Sequence, residues 1–114
     1  MPYLTIRTNV AVEPEQQQSL LRQASEVVSG ELGKPERFVM VSVEPQQAML
    51  FAGSDEPLAY MELKSIGLPQ DRTQGLSAAL ASLAVNLLSI PQDRVYVEFS
   101  DAERHMWGWN GGTF

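Results

Sequence analysis

Two apolar stripes at helical spacing, each lying between stretches that alternate apolar and polar residues, constrain this chain more than anything else in it. Leu20, Leu21, Ala24, Val27, Val28 and Leu32 form one stripe, and Leu76, Ala79, Leu80, Leu83, Ala84, Leu87 and Leu88 form the other. Intervals of three and four residues put each set on one side of an α-helix. The punctuation agrees: the first helix is predicted to begin near Glu13 to Glu15, with Pro14 in its first turn, and to end at Gly33 before Pro35. The second follows Pro69 and Asp71 and stops before Pro91. Four stretches, Pro2 to Thr8, Phe38 to Glu44, Leu58 to Ile66 and Arg94 to Ser100, have strand composition and length. The order is therefore β-α-β twice.

The halves echo each other, since Lys34-Pro35-Glu36-Arg37-Phe38-Val39 resembles Ile90-Pro91-Gln92-Asp93-Arg94-Val95. One internally duplicated domain over residues 1-114 is expected, its halves at about 1-52 and 57-114 and joined by Gly53-Ser54-Asp55-Glu56-Pro57. The predicted class is α+β: two pseudo-symmetric βαβ units forming a four-stranded mixed sheet with both helices on one face. Period-2 reading gives that face Val39, Val41 and Val43, then Ala59, Met61 and Leu63, then Val95, Val97 and Phe99. The opposite face is mixed, with Phe38, Met40, Leu58, Tyr60, Ile66 and Tyr96 among Glu44, Glu62, Lys64, Arg94 and Glu98. Two helices cover only one face, so other copies of the chain are expected to shield the second.

Composition closes off several classes of function. The chain of 114 residues is 44% hydrophobic, with 14 acidic against 8 basic side chains and a net charge of −6. No Lys/Arg cluster offers a surface that tracks phosphates, so nucleic acid is not an expected partner. The absence of cysteine removes disulfides, thiolate nucleophiles and zinc-thiolate sites. His105, the only histidine, has no second histidine or cysteine to complete a metal site, and nothing in the sequence calls for a cofactor. Arg7, Glu13, Pro14 and Glu15 stand where a signal peptide would need an apolar run, and no apolar run is long enough to span a membrane. A cytoplasmic protein is the expectation. Asp55-Glu56, and Asp101 with Glu103, read as solvated turns rather than paired catalytic carboxylates.

Pro2 directly follows Met1. Removal of Met1 leaves a secondary amine at the terminus, and an α-amine of pKa about 7.7 to 8.0 becomes a base near neutrality after modest burial or beside a cation. Met-Pro also begins many chains with nothing more than a rigid first residue. While Met1 remains, the Pro2 nitrogen is an amide and no base. A small second residue favours removal, so processing is expected.

Met1-Pro2 with Thr8-Asn9-Val10, Gly33-Lys34-Pro35, Ala52-Gly53-Ser54, Glu56-Pro57, Ser65-Ile66-Gly67, Asp93-Arg94-Val95-Tyr96 and Gly108-Trp109-Asn110 with Thr113-Phe114 together resemble the macrophage migration inhibitory factor and D-dopachrome tautomerase family. The resemblance covers the whole chain. It implies a barrel-like homotrimer whose three sheets surround a channel, with active sites at subunit boundaries. It further implies keto-enol tautomerisation of arylpyruvates such as phenylpyruvate and 4-hydroxyphenylpyruvate, with dopachrome-type isomerisation as related chemistry.

In that reading Pro2 is the base, and Lys34 depresses its pKa and binds the substrate carboxylate. Ile66 contacts substrate through its backbone, and Tyr96 reaches in from the neighbouring subunit. Phe38 replaces a frequent tyrosine as an aromatic wall. Trp109, with Trp107 and Phe114, lines an aryl pocket; alternation about Gly108 places both indoles on one side. Glu98 stands where well-known members carry asparagine, and a carboxylate accepts but does not donate unless protonated. It is expected to weaken activity. Each residue also has a plainer reading. Lys34 suits a helix C-terminus, Ile66 a strand end, Tyr96 and Trp107 interface packing, and Glu98 a solvated strand position. Family members also act as secreted, cytokine-like ligands, so receptor binding is the competing class. The family's thiol motif is absent here, its place taken by Leu58-Ala59-Tyr60-Met61.

Overall fold

Strand β1 (Tyr3–Thr8) leads to helix α1 (Pro14–Leu32) and strand β2 (Met40–Glu44). Strand β3 (Ala59–Ile66), helix α2 (Thr73–Leu88) and strand β4 (Val95–Ala102) repeat that order, and a short hairpin, β5 (Gly108–Trp109) and β6 (Gly112–Thr113), ends the chain. The computed structural model describes residues 1–114.

The sheet order is β2-β1-β3-β4. β1 runs parallel to β2 and β3 parallel to β4, while the central pair β1/β3 is antiparallel. The sheet is therefore mixed, with one right-sized helix available to cross over each parallel pair. Leu4 and Ile6 of β1, Met61 and Leu63 of β3, Leu20 and Val28 of α1, and Leu76 and Leu80 of α2 are wholly buried together between the sheet and the helices. The valines of β2 and β4 and Phe99 pack at the margin of this core. That is the apolar face expected from alternation.

α1 follows its predicted limits because its ends are chemically marked. Pro14 supplies a helical φ without an N–H to satisfy. At the other end Gly33 adopts φ 63°, ψ 34°, a left-handed turn that costs a glycine nothing. The turn closes as Lys34 N–H donates to Ser29 O at 3.1 Å and Ser29 Oγ donates to Lys34 O at 2.6 Å. Lys34 is thereby fixed where the chain leaves the helix.

Three details depart from the expected pattern. Phe38 belongs to a single 3₁₀ turn, Glu36–Phe38, rather than to β2, so it leaves the sheet face assigned to it. Leu58 and Ile66, placed on the mixed face by alternation, are 2% and 8% exposed and so are buried within the single chain. Asp101 lies within β4, and its Oδ1 accepts the Leu68 N–H at 2.9 Å; it is not a free turn carboxylate. Met40 and Tyr96 remain 64% and 63% exposed on the second face.

Candidate active site

A cavity of about 400 Å³ opens where β1 begins. Met1, Pro2 and Tyr3 form its floor, and residues 37–40 form one wall. Trp107, Gly108, Trp109 and Phe114 form the other. Register explains the convergence: Tyr3 sits beside Met40 in β2 and Lys64 in β3, and Met40 N–H donates to Pro2 O at 2.9 Å. Pro2 is fully buried.

The aromatic wall is built by a turn that the sequence reading missed. Asn110 and Gly111 take φ 53° and 77°, both left-handed, as a two-residue type I′ hairpin requires. Pairing of Trp109 with Gly112 and Gly108 with Thr113 then stacks Trp109 on Phe114, centroids 5.4 Å apart at 14°. Phe38 meets both edge-on, at 5.6 and 6.0 Å. Such arrangements match the ring quadrupoles and make the wall stiff. Both indoles line the cavity, Trp107 included.

Lys34 and Ile66 do not line this cavity, but the Lys34 charge acts on the Met1 amine, which does. The Lys34 ammonium donates to Ser65 Oγ at 2.9 Å and to the Ile66 carbonyl. An ammonium has three donors, so one remains for a ligand. Burial, opposed by the charge of Asp101 and reinforced by that of Arg104, lowers the Lys34 pKa. The Met1 amine is lowered as well, first by burial and then by the charge of Lys34. Both effects favour a neutral amine in this corner. With Met1 attached the Pro2 nitrogen is an amide, so the Met1 amine reports the electrostatics that a freed Pro2 amine would meet.

Pro2, Lys34, Ile66, Phe38 and Trp109 thus converge at one end of the sheet. Tyr96 and Glu98 do not join them within one chain. Tyr96 pairs with Tyr60 and Glu98 with Glu62, whereas Pro2 extends the register opposite Ser65. Five strand residues separate the Pro2 and Tyr96 levels, about 17 Å at the usual rise. Tyr96 packs instead on Phe51, centroids 4.6 Å apart, beside a second hollow of about 510 Å³ that Leu50 and Tyr60 also line. Near it, burial first and the carboxylates of Glu98 and Glu62 next raise the Tyr60 pKa. His105 is exposed, 3.4 Å from Glu103. Arg37, Ser65 and Asp101 belong to the site's surroundings and were not among the expected residues. No helix is long and apolar enough to cross a membrane.

Two β-α-β units under one pair of helices, with an aromatic cavity over the first residues of β1, define an α+β protein of the tautomerase superfamily, an isomerase-type class. Residues 1–114 match the macrophage migration inhibitory factor (MIF) family, and the chain belongs to that family. A macrophage migration inhibitory factor homolog of Brugia malayi is 42% identical over 115 residues, spanning all of this chain and 99% of that protein. The macrophage migration inhibitory factor of Mus musculus is 35% identical over 117 residues, again spanning all of this chain and 99% of the relative. Among solved structures, the homologue from Prochlorococcus marinus superposes with a TM-score of 0.93 at 40% identity, covering 98% of each chain.

Proposed function

We propose that this chain is a keto-enol tautomerase of arylpyruvates, phenylpyruvate and 4-hydroxyphenylpyruvate among them, with dopachrome-type isomerisation as related chemistry. The Pro2 amine, freed by removal of Met1, is its base. One observation carries the proposal: buried Pro2 lines an aromatic cavity next to the Met1 amine, whose neutral form is favoured by burial and by Lys34. A carbon acid needs such a base, and its developing enolate needs a cation or hydrogen-bond donor.

In the proposed reaction, Lys34 holds the substrate carboxylate with its remaining N–H, and the backbone at Ile66 contacts the same end. Phe38 and Trp109 flank the ring. The Pro2 nitrogen takes a proton from the carbon next to the keto group. The C–H electrons form the C=C bond while the carbonyl π electrons move to oxygen, which takes a proton back from the Pro2 ammonium, so the base is regenerated and the reaction is an isomerisation with no net gain or loss of atoms. No cofactor enters. Tyr96 and Glu98 complete the pocket from a neighbouring copy in a homotrimer.

The test is the enol absorbance of phenylpyruvate with protein whose intact mass shows Met1 gone, alongside Pro2→Gly and chain that retains Met1. Both controls are expected to lose roughly 10²- to 10⁴-fold in rate, the usual contribution of a positioned base. Equal rates in all three samples would remove Pro2 from the chemistry.

A further inference from the structure

Arg37 is the only charged side chain lining the cavity, which contains no Asp or Glu. Its Cζ lies 4.8 Å from the Phe38 centroid, so the guanidinium is stacked on the aromatic wall. Arg7 pairs with Glu44, Arg72 donates to Glu31 O, Arg94 to four carbonyls and Arg104 to Phe114 O, while Arg22, exposed on α1, has no such partner but lines no part of this cavity. Arg37 has neither an ion pair nor a hydrogen bond. The adjacent carboxylate of Glu36 accepts from Ser25 Oγ at 2.8 Å instead.

The two cations near this cavity differ in setting: Lys34 is half-buried and bonded to Ser65 and Ile66, while Arg37 is exposed and lines the cavity itself. Charges that act on Lys34 come from Asp101 and Arg104, and the charge that acts on the terminal amine comes from Lys34; Arg37 contributes to neither. Arg37 is exposed, which puts it on the solvent side of the cavity that Met1 and Pro2 also line. A planar guanidinium already held by stacking loses little freedom when it takes a carboxylate in bidentate fashion. A volume of about 400 Å³ also leaves room beyond a ring and a three-carbon keto acid.

We propose that Arg37 determines specificity, recognising an anionic oxygen group at the far end of the substrate, so that keto acids whose ring carries a second carboxylate are preferred over unsubstituted ones. This rests on the assignment of the cavity to arylpyruvates. Glu98, approaching from a neighbouring copy, opposes an anion there, so substrate preference reads out which charge governs the rim.

The experiment compares kcat/KM for 4-carboxyphenylpyruvate and phenylpyruvate in Met1-free protein, in Arg37→Gln and in Arg37→Lys. The expected preference for the carboxylated substrate is roughly tenfold, as one charge-assisted contact at a partly exposed site provides. It falls to near unity in Arg37→Gln and is partly kept in Arg37→Lys. A preference unchanged in Arg37→Gln, or a wild-type protein that disfavours the dianion, overturns the proposal.

Binding of terephthalate and benzoate, followed through the emission of Trp107 and Trp109, requires no turnover. If no keto acid is turned over but terephthalate still binds more tightly than benzoate, and only while Arg37 is present, the rim assignment stands and the tautomerase reading falls. If phenylpyruvate is turned over with no Arg37-dependent preference in either assay, the tautomerase reading stands and the rim assignment falls.

Discussion

Replacing Arg94 by alanine should unfasten the loop that carries Phe51, and with it the aromatic end of the sheet where Tyr96 lies. Arg94 Nε donates to Pro57 O at 3.0 Å, Nη1 to Phe51 O at 3.1 Å, and Nη2 to Ser54 O and Glu56 O, both at 3.1 Å. Its Cζ lies 5.3 Å from the Phe51 centroid. Four hydrogen bonds to a charged group at about 1.5–3 kcal/mol each would sum to roughly 6–12 kcal/mol if all were dry. The side chain is only half-buried, so water replaces part of what is lost, and the expected cost is about 2–4 kcal/mol. For a domain of this size that is roughly 8–16 °C in Tm. Arg94→Lys offers three donors on a point charge and should recover less than half. The assay is urea unfolding at fixed protein concentration, which keeps any assembly equilibrium constant, combined with hydrogen exchange at residues 51–58. A loss below about 1 kcal/mol with unchanged exchange would refute the reasoning, because the four carbonyls would then be held without Arg94.

Removing the Lys34 charge should shift the acid side of the kcat/KM profile. A protonated amine cannot act as a base, and Lys34 is the second cause, after burial, of the lowered amine pKa. In Lys34→Gln the acid limb therefore moves to higher pH but stays below that of an exposed α-amine, and KM rises; an unmoved limb would remove Lys34 from the electrostatics. Glu98→Asn should raise kcat/KM for phenylpyruvate roughly 3- to 30-fold by replacing an acceptor-only group with a donor, and no gain counts against the role proposed for Glu98. The same substitution should lower the Tyr60 pKa, since Glu98 is the largest charge acting on it; spectrophotometric titration measures this without any substrate.

What was legible in the sequence was what depends on nearby residues. The stripes of α1 and α2, the Gly33 turn and the alternation of β3 involve contacts three, four or two positions apart, and the structure follows them. Phe38 was misread because its alternation with Met40 continues a strand pattern, while the Pro35 to Phe38 turn removes it from β2: Phe38 N–H bonds Pro35 O at 3.1 Å. Asn110-Gly111 is a strong hairpin signal that went unread, although the residues around it, Trp109 and Phe114, were expected to line a pocket. Arg37 was overlooked for another reason. Its place on the cavity wall, stacked on Phe38 and without an ion pair, is a tertiary fact that no local pattern carries.

The division of the candidate residues between two ends of the sheet is itself an argument about assembly. β2 and β4 are both edge strands, and β4 leaves eight residues of backbone unpaired on one side. The Pro2 cavity opens at one end, while Leu50, Phe51 and Tyr96 form an apolar hollow at the other, with Leu50 71% and Tyr96 63% exposed. Placing the hollow of one copy against the cavity of the next is a head-to-tail contact, and such contacts either close into rings or grow without limit. Three copies would close the ring that the proposed homotrimer requires, cover the exposed aromatics and bring Tyr96 and Glu98 to a foreign Pro2. Sedimentation should then give a single species of three chains at micromolar concentration, and Tyr96→Ala with Leu50→Ser should dissociate it and abolish turnover together. A stable monomer that tautomerises phenylpyruvate would break this link, because the site would then be complete without the far end of any other chain.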